Sequence, residues 1–434
     1  MPQEALAVTP PPGQTEPMSA TTPVITNAVQ PIEGNGTRTV RVFRTLAELE
    51  QIRQPWNDWC DDPNADMELY LAWARRHSEF VRPHVIAVYR NDQPECGLIG
   101  RIENCQLELK LGYLRVFRPK VRRLFFVRFG FLGNICRENL AQLVLSVKES
   151  LNSGEADVAE LSRPRPLPDL DATIATQFGV LCRGHFTPEN EHRWLELPKT
   201  YEQFMQSLQR KDRHEFRRHQ KKLKESIPNA HIRCYRHEEE VESLAHALQA
   251  ISQKTYQHAL GVGFVATEET LESLHITARQ GGLRGCVLFM DDEPGAFFLA
   301  RAYKHRLHGN SMGFDPKYAE YSPGLQVLMH AVEDCYSPEN PLSELDLGWG
   351  DRRYKRMISN RSCKDSTVYL YAPRVGAVSL NLLRSALNGL DVAVRNAFEK
   401  SRLLQRLKKM WLNRRLSQSS GDASAGERER SAIS

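Results

Sequence analysis

The stretch "GNSMGFDPKYAEYSPGLQVLMHAVEDCYS", Gly309 to Ser337, followed by "ELDLGWGDRRYKRM", Glu344 to Met357, carries the clearest structural pattern in the chain. "RLHGNSMGF", ending at Phe314, alternates as a strand does. An aromatic loop, "DPKYAEYSPG", then opens a helix in which Leu325, Leu328, Ala331 and Val332 recur on one face. Pro323 suits the first helical turn, where its missing N–H is not needed. Gly324 allows close approach to the backbone, and unpaired N–H groups at such a start attract phosphate oxygens. "ELDLGWG" reads as a buried strand returning, parallel, to the same sheet edge. On its own the Tyr-Ser-Pro-Gly corner is also compatible with a plain helix-starting turn.

Outward from this stretch, the chain reads as two similar halves. Trp56 stands 38 residues before Pro94 in "VIAVYRNDQPECGLIG", and Tyr256 stands 38 residues before Pro294 in "CVLFMDDEPGAFFLA", an offset of 200 residues. Each half offers a helical segment, a strand, a charged turn and a second strand. The spacing predicts a duplicated α/β (α+β) domain with a mixed sheet. The expected boundaries are 38–198 for the first domain and 199–374 for the second. Thr200 is expected to cap a single helix reaching about Lys224, with Gln203 at its third position. Residues 1–37 and 417–434, polar and without apolar period, are expected to be a disordered leader and tail.

Composition bounds the function. The 434 residues are 41% hydrophobic and 26% charged with net charge +5, which fits a soluble globular protein and is too mild to announce nucleic acid. Nine cysteines stand singly without a C-x-x-C pair, so reduced thiols and no metal are expected. No secretory signal or 18-residue apolar run is visible, and a cytoplasmic location, with or without a peripheral hold on the inner membrane, is expected. Walker and G-x-G-x-x-G patterns are absent from the sequence.

Asp315, Pro316, Tyr318, Tyr321, Ser322, Pro323 and Gly324, with Asp346, Leu347, Gly348, Gly350, Asp351, Tyr354 and Lys355, form the pattern D-P-x-Y…Y-S-P-G and D-L-G-x-G-D…Y-K. This pattern resembles the acyltransferase domain of the GNAT superfamily, and more closely its CelD-like group associated with cellulose and exopolysaccharide synthesis. The likeness spans about 200–371; over the first half it implies only a degenerate copy, as in FemAB-like double-GNAT proteins. It implies two tandem GNAT-like domains, the second active, with acyl-CoA, expected to be acetyl-CoA, as co-substrate. The donor would sit against Phe314, Ser322, Pro323, Gly324 and Leu325. One departure matters: the R/Q-x-x-G-x-G/A phosphate loop is replaced by Y-S-P-G, which puts the donor's identity in question.

Asp346 lies between Leu345 and Leu347 and points opposite to them. A carboxylate there is expected to be a general base with its pKa raised by burial, or else paired with Arg352, Arg353 or Lys355. Tyr321 or Tyr354 would be the acid that protonates the departing thiolate, and the sequence leaves that choice open. His305 and His308 are expected to be solvated.

From Arg210 to Lys224 eight basic residues meet two acidic ones, a solvated face or an anion site. Arg213 and Arg217, with Asp351 and Lys355, are the expected substrate contacts. A basic amphipathic helix is expected over 375–416; nine basic and two acidic residues lie between Arg384 and Arg415. It would lie on an anionic membrane surface, on polysaccharide synthase machinery, or on the domain itself.

The resulting expectation is an acyltransferase acting on an amine or a sugar hydroxyl. Two rivals stand beside it: FemAB-like aminoacyl transfer from tRNA, and a non-catalytic accessory subunit of a membrane polysaccharide synthase.

Overall fold

Two hairpins 200 residues apart share one turn. Asn91 and Asp92 in the first, and Asp291 and Asp292 in the second, have φ of 50, 61, 52 and 63°. A two-residue turn matched to strand twist needs two left-handed residues, and Asn and Asp tolerate that conformation. The registers match as well: Tyr89 faces Pro94 and Phe289 faces Pro294, each one step past the same bulge. The computed structural model describes residues 37–112, 114–163, 167, 169–255, 263–338 and 341–398. Tyr256, one anchor of the sequence repeat, lies outside them, as do residues 1–36 and 399–434.

The first half contributes β1 Arg38–Phe43, α1 Arg53–Trp59, α2 Met67–Arg76, β2 Phe80–Pro83, β3 Val85–Arg90 and β4 Gln93–Gln106. A small hairpin follows, β5 Leu109–Leu111 and β6 Leu114–Phe117, then β7 Lys120–Gly133, α3 Arg137–Asn152, β8 Val158–Arg163, α4 Leu170–Gln177 and β9 Glu189–Glu196. The second contributes α5 Tyr201–Ser207, α6 Arg210–Ser226, β10 His231–Tyr235, α7 Val241–Gln253, α8 Glu268–Arg279 and β11 Leu283–Met290. It continues with β12 Glu293–Tyr303, β13 Arg306–Phe314, α9 Pro323–Asp334, β14 Glu344–Trp349, α10 Arg353–Ile358, β15 Arg361–Tyr371 and α11 Val375–Phe398.

Among the described residues one mixed sheet of 13 strands runs through both halves in the order β1-β3-β4-β7-β8-β15-β9-β14-β13-β12-β11-β10, with β2 beside β4. β7–β8 and β13–β14 are its parallel pairs, bridged by the crossover helices α3 and α9. At the centre the halves exchange a strand. β9, which follows the first half, pairs with β14, and β15, which follows the second, pairs with β8. β14 is therefore an interior strand, not the edge that the sequence pattern implies.

Both faces are covered, which is why "VIAVY" and "CVLFM" read as unbroken apolar runs. On one face Leu140, Val144 and Val147 of α3 pack on Leu124 and Phe126, as Val327, Leu328 and Val332 of α9 pack on Phe298 and Leu345. On the other, Trp56 and Tyr70 lie against Val85 and Ile99, as Leu244 and Leu248 lie against Val287 and Leu299. The fold is thus a mixed α/β sheet carrying two copies of one strand-and-crossover plan.

The expected single helix from Thr200 is broken. Thr200 Oγ1 does accept from the Gln203 N–H at 3.2 Å, as a cap. Leu208 and Gln209 are then extended, because Leu208 is drawn into the core. Arg213 closes the break by donating to the Met205 and Gln206 carbonyls at 3.2 and 2.6 Å.

Candidate active site

β13 and β14 pair only from Arg306–Glu344 to His308–Asp346 and then part. β14 turns away toward β9 through Gly348, whose φ of +67° glycine alone adopts readily. β13 carries a bulge here: Leu299 faces Ser311 but Ala300 faces Gly309, so Asn310 is the extra residue. A bulge takes backbone groups out of the ladder. Gly309 marks the fork itself, since a Cβ would come within 3.2 Å of the Asp346 carbonyl and of the Phe298 ring. The opening holds a cavity of about 720 Å³ lined by Gly309, Asn310, Phe314, Leu347, Tyr354 and Lys355 among others.

Behind the fork runs a buried polar chain drawn from both halves. His192 of β9 bonds Asp346 through Nε2 at 2.8 Å, and the Gly348 N–H donates to the same carboxylate oxygen at 2.7 Å. Arg128 of β7 stands 2.8 Å from His192 Nδ1 and 3.4 Å from Asp365 of β15, with its guanidinium over the Trp349 ring. The Trp349 indole N–H donates to Asp365. On the other side His308 Nδ1 lies 3.4 Å from Asp62 Oδ2. Asp62, His308 and Asp346 present ligand atoms within 4.8 Å of one another. His308 is buried, not solvated as the sequence suggests.

The electrostatics correct the reading of Asp346. Burial acts to raise its pKa, but the His192 hydrogen bond and charge, with the Gly348 N–H, outweigh it and hold the carboxyl at about 2. Its partner is His192, not Arg352, Arg353 or Lys355. Arg353 pairs with Glu215 of α6 at 2.6 Å, and Lys355 donates to the Trp349 carbonyl. Burial opposes a charge on His192 too, yet the two carboxylates prevail and raise its pKa. Asp62 lacks such help: burial lifts it to about 7, against two hydrogen bonds from Asn64. Burial also lowers Lys355 to about 8, with Asp346 pulling the other way.

Of the residues singled out in the sequence, Phe314, Tyr354 and Lys355 line the cavity. Tyr321 and Ser322–Leu325 are not among its described lining residues. Tyr321 sits under Lys222 at 5.4 Å and packs on the core. Ser322 takes φ +49°, Pro323 begins the helix, and Gly324 is buried behind Phe314 and Met312. At the helix start the Ser322 N–H bonds the Ala319 carbonyl, and the Leu325 and Gln326 N–H groups bond the Ser322 carbonyl. Asp351 is held between Arg193 and Arg356 at 3.1 and 2.5 Å. Arg213 caps α5, and Arg217 is exposed on α6.

The helix expected over 375–416 is described to Phe398, and the remainder lies outside the described residues. It packs on its own sheet: Asn381 donates to the Leu181 and Arg183 carbonyls, and Arg384 stacks on Tyr369 at 3.4 Å. Among the described residues no helix is long and apolar enough to cross a membrane.

Sequence reasoning missed His192, Arg128, Asp365 and Asp62. They stand far apart in the chain and meet only through the strand exchange, so no local spacing marks them.

No curated protein matches the chain. Solved structures that resemble it include a conserved protein of unknown function from Bacteroides thetaiotaomicron, with 11% identity over 76% of this chain and 100% of that one, TM-score 0.48. FemX is similar at 11% over 74% and 96%, TM-score 0.48. A tandem GNAT protein from the clavulanic acid biosynthesis pathway is similar at 10% over 77% and 99%, TM-score 0.44. Residues 210–356 match the acetyltransferase (GNAT) domain family. That span, about a third of the chain, contains α9 and both parted strands.

Proposed function

We propose that the protein moves an acyl group, acetyl in the first instance, from acyl-CoA to an amine or a sugar hydroxyl. The observation that carries this reading is the cavity at the fork of β13 and β14, which faces Tyr354 and Lys355. The thioester enters the gap, and backbone groups freed by the Asn310 bulge polarise its carbonyl. Lys355, brought to about pKa 8 by burial, takes the proton of the attacking amine or hydroxyl. The nucleophile adds to the thioester carbon, the tetrahedral intermediate collapses, and the thiolate leaves with a proton from Tyr354, which faces the cavity where Tyr321 does not. Asp346, held charged by His192, acts on Lys355 as a fixed negative charge in place of the base role suggested by sequence alone.

The donor's pyrophosphate is assigned to the cavity mouth near Phe314, on the side of the Ser322–Leu325 corner, with Arg352 as a cationic lining residue besides Lys355. The acceptor is assigned to cell-envelope or exopolysaccharide synthesis on the likeness of the Y-S-P-G and D-L-G-W-G-D segments. The exposed leucines of α11, Leu382, Leu383 and Leu390, favour a peripheral hold on an anionic membrane.

Two observations favour a second reading. The Ser322 and Leu325 N–H groups at the start of α9 bond backbone carbonyls, and eight basic residues crowd the Arg210–Lys224 stretch. Both suit a donor larger than CoA, an aminoacyl-tRNA. Calorimetry with acetyl-CoA, longer acyl-CoAs and free CoA tests the choice: micromolar binding of an acyl-CoA supports the first reading. Indifference to all of them, with turnover on charged tRNA, overturns it in favour of the second.

A further inference from the structure

Cys234 on β10 and Cys286 on β11 are direct cross-strand partners, with their sulfurs 2.9 Å apart. His330 reaches the same point from α9, so that one ring nitrogen and the two sulfurs all lie within 4.8 Å of one another. Cys286 is buried, and the other two are half-buried. The absence of a C-x-x-C pair hides this set from the sequence, because the two thiols are 52 residues apart and the imidazole lies on a separate element.

Two thiols and an imidazole form a soft donor set. Hard cations such as Mg²⁺ and Ca²⁺ take oxygen ligands and are poorly served here, whereas Zn²⁺ is bound by Cys and His in tetrahedral sites. Zinc–sulfur bonds of about 2.3 Å at tetrahedral angles need sulfurs about 3.8 Å apart, so the two thiolates must separate by about 0.9 Å. Cys234 lies on β10, the last strand of the sheet, where a small side-chain rotation meets least resistance. Of the two carboxylates that follow His330 on α9, Glu333 and Asp334, the second is tied to Arg236, and the fourth position is assigned to solvent.

We propose that Cys234, Cys286 and His330 bind one Zn²⁺ ion, with water as the fourth ligand. Binding releases the thiol protons and ties the outer hairpin of the sheet to α9, independently of what the cavity at the fork accepts. The bound ion also withdraws both sulfurs from oxidation.

The test uses the full chain, reduced and stripped of metal, with Co²⁺ as the spectroscopic probe. One equivalent is expected to give a thiolate-to-cobalt charge-transfer band that one equivalent of Zn²⁺ abolishes. Zn²⁺ is expected to raise the melting temperature of the wild type but not of Cys234→Ser. His330→Gln, with folding checked by circular dichroism, is expected to weaken zinc at least tenfold and to shift the cobalt spectrum. Hydrogen peroxide is expected to join the two thiols of the metal-free protein as a disulfide, giving two waters, and to leave them intact when zinc is bound. The proposal is overturned if the wild type shows no charge-transfer band. It is also overturned if His330→Gln leaves affinity and spectrum unchanged, or if zinc gives no protection from peroxide, which would make the pair a plain redox couple.

Discussion

Asp346 and His192, 154 residues apart, are joined by a 2.8 Å hydrogen bond that crosses from one half of the chain to the other. Both are buried at the fork where β13 and β14 separate. Removing the charge strands a buried imidazole, and breaking a buried pair costs about 3–5 kcal/mol. Asp346→Asn is therefore expected to lower the unfolding free energy, read from urea denaturation, by an amount in that range and to reduce acyl transfer. His192→Gln, which keeps a donor toward Asp346, should cost less. Equal losses in both variants would remove the special role of the pair.

Lys355 sets the expected pH profile. Its pKa is lowered to about 8, with burial the largest cause, so the neutral, proton-accepting form grows as pH rises through that value. Transfer to an amine or hydroxyl should climb through about pH 8 and level off above it. Lys355→Met should lose about 100-fold in kcat and flatten this limb, while acyl-CoA affinity changes little. A profile unchanged in Lys355→Met would exclude the lysine as base.

Phe314 stands at the cavity mouth with 38% of its surface exposed, so a substitution there should leave the fold intact. Phe314→Glu places a negative charge where an anionic donor enters. About a tenfold loss of acyl-CoA affinity is expected, an effect of roughly 1.4 kcal/mol, and added salt should shrink it. Calorimetry at two ionic strengths measures both.

Asp62 gives a stability signature of opposite sign to Asp346. Its carboxyl is raised from 3.8 to about 7, chiefly by burial. Below the lower value both folded and unfolded chains hold the proton; between the two the unfolded chain ionises first. Its contribution is thus full below about pH 4 and is lost as pH rises through about 7. Asp346, lowered to about 2, contributes above 3.8 and loses that contribution as pH falls through about 2. Asp62→Asn should remove the downward slope between pH 4 and 7 and stabilise the protein above it, as read from denaturation midpoints across that range.

Ser322 holds φ +49° and ψ +51° without a side-chain cap. A left-handed conformation costs a non-glycine residue roughly 1–2 kcal/mol, and relief is partly offset by glycine's greater freedom when unfolded. Ser322→Gly should raise the melting temperature slightly and leave donor affinity unchanged. A marked loss of donor affinity would show that the hydroxyl is a ligand.

The pattern legible in the sequence was the pattern made by neighbours. The alternation of "RLHGNSMGF", the helix beginning at Pro323 and the 200-residue offset between Pro94 and Pro294 all reappear, because each depends on residues close in the chain or on the same turn repeated. Asp346 was visible as a costly carboxylate in an apolar strand, but its partner was not. His192 stands in "ENEHRWLE", where nothing nearby separates it from any half-buried strand histidine. It becomes significant only when β9 is set beside β14. The break at Leu208 was hidden for a similar reason: tertiary packing draws that leucine inward against the local preference for helix.

The central exchange of β9 and β15 governs how this molecule can be made and divided. While the nascent chain leaves the ribosome, the outer edge of β8 stays bare until Arg361–Tyr371 has been synthesised, so the earlier module cannot finish folding as a unit of its own. A gene cut between the modules would yield two products with complementary raw edges, soluble together and prone to clump apart.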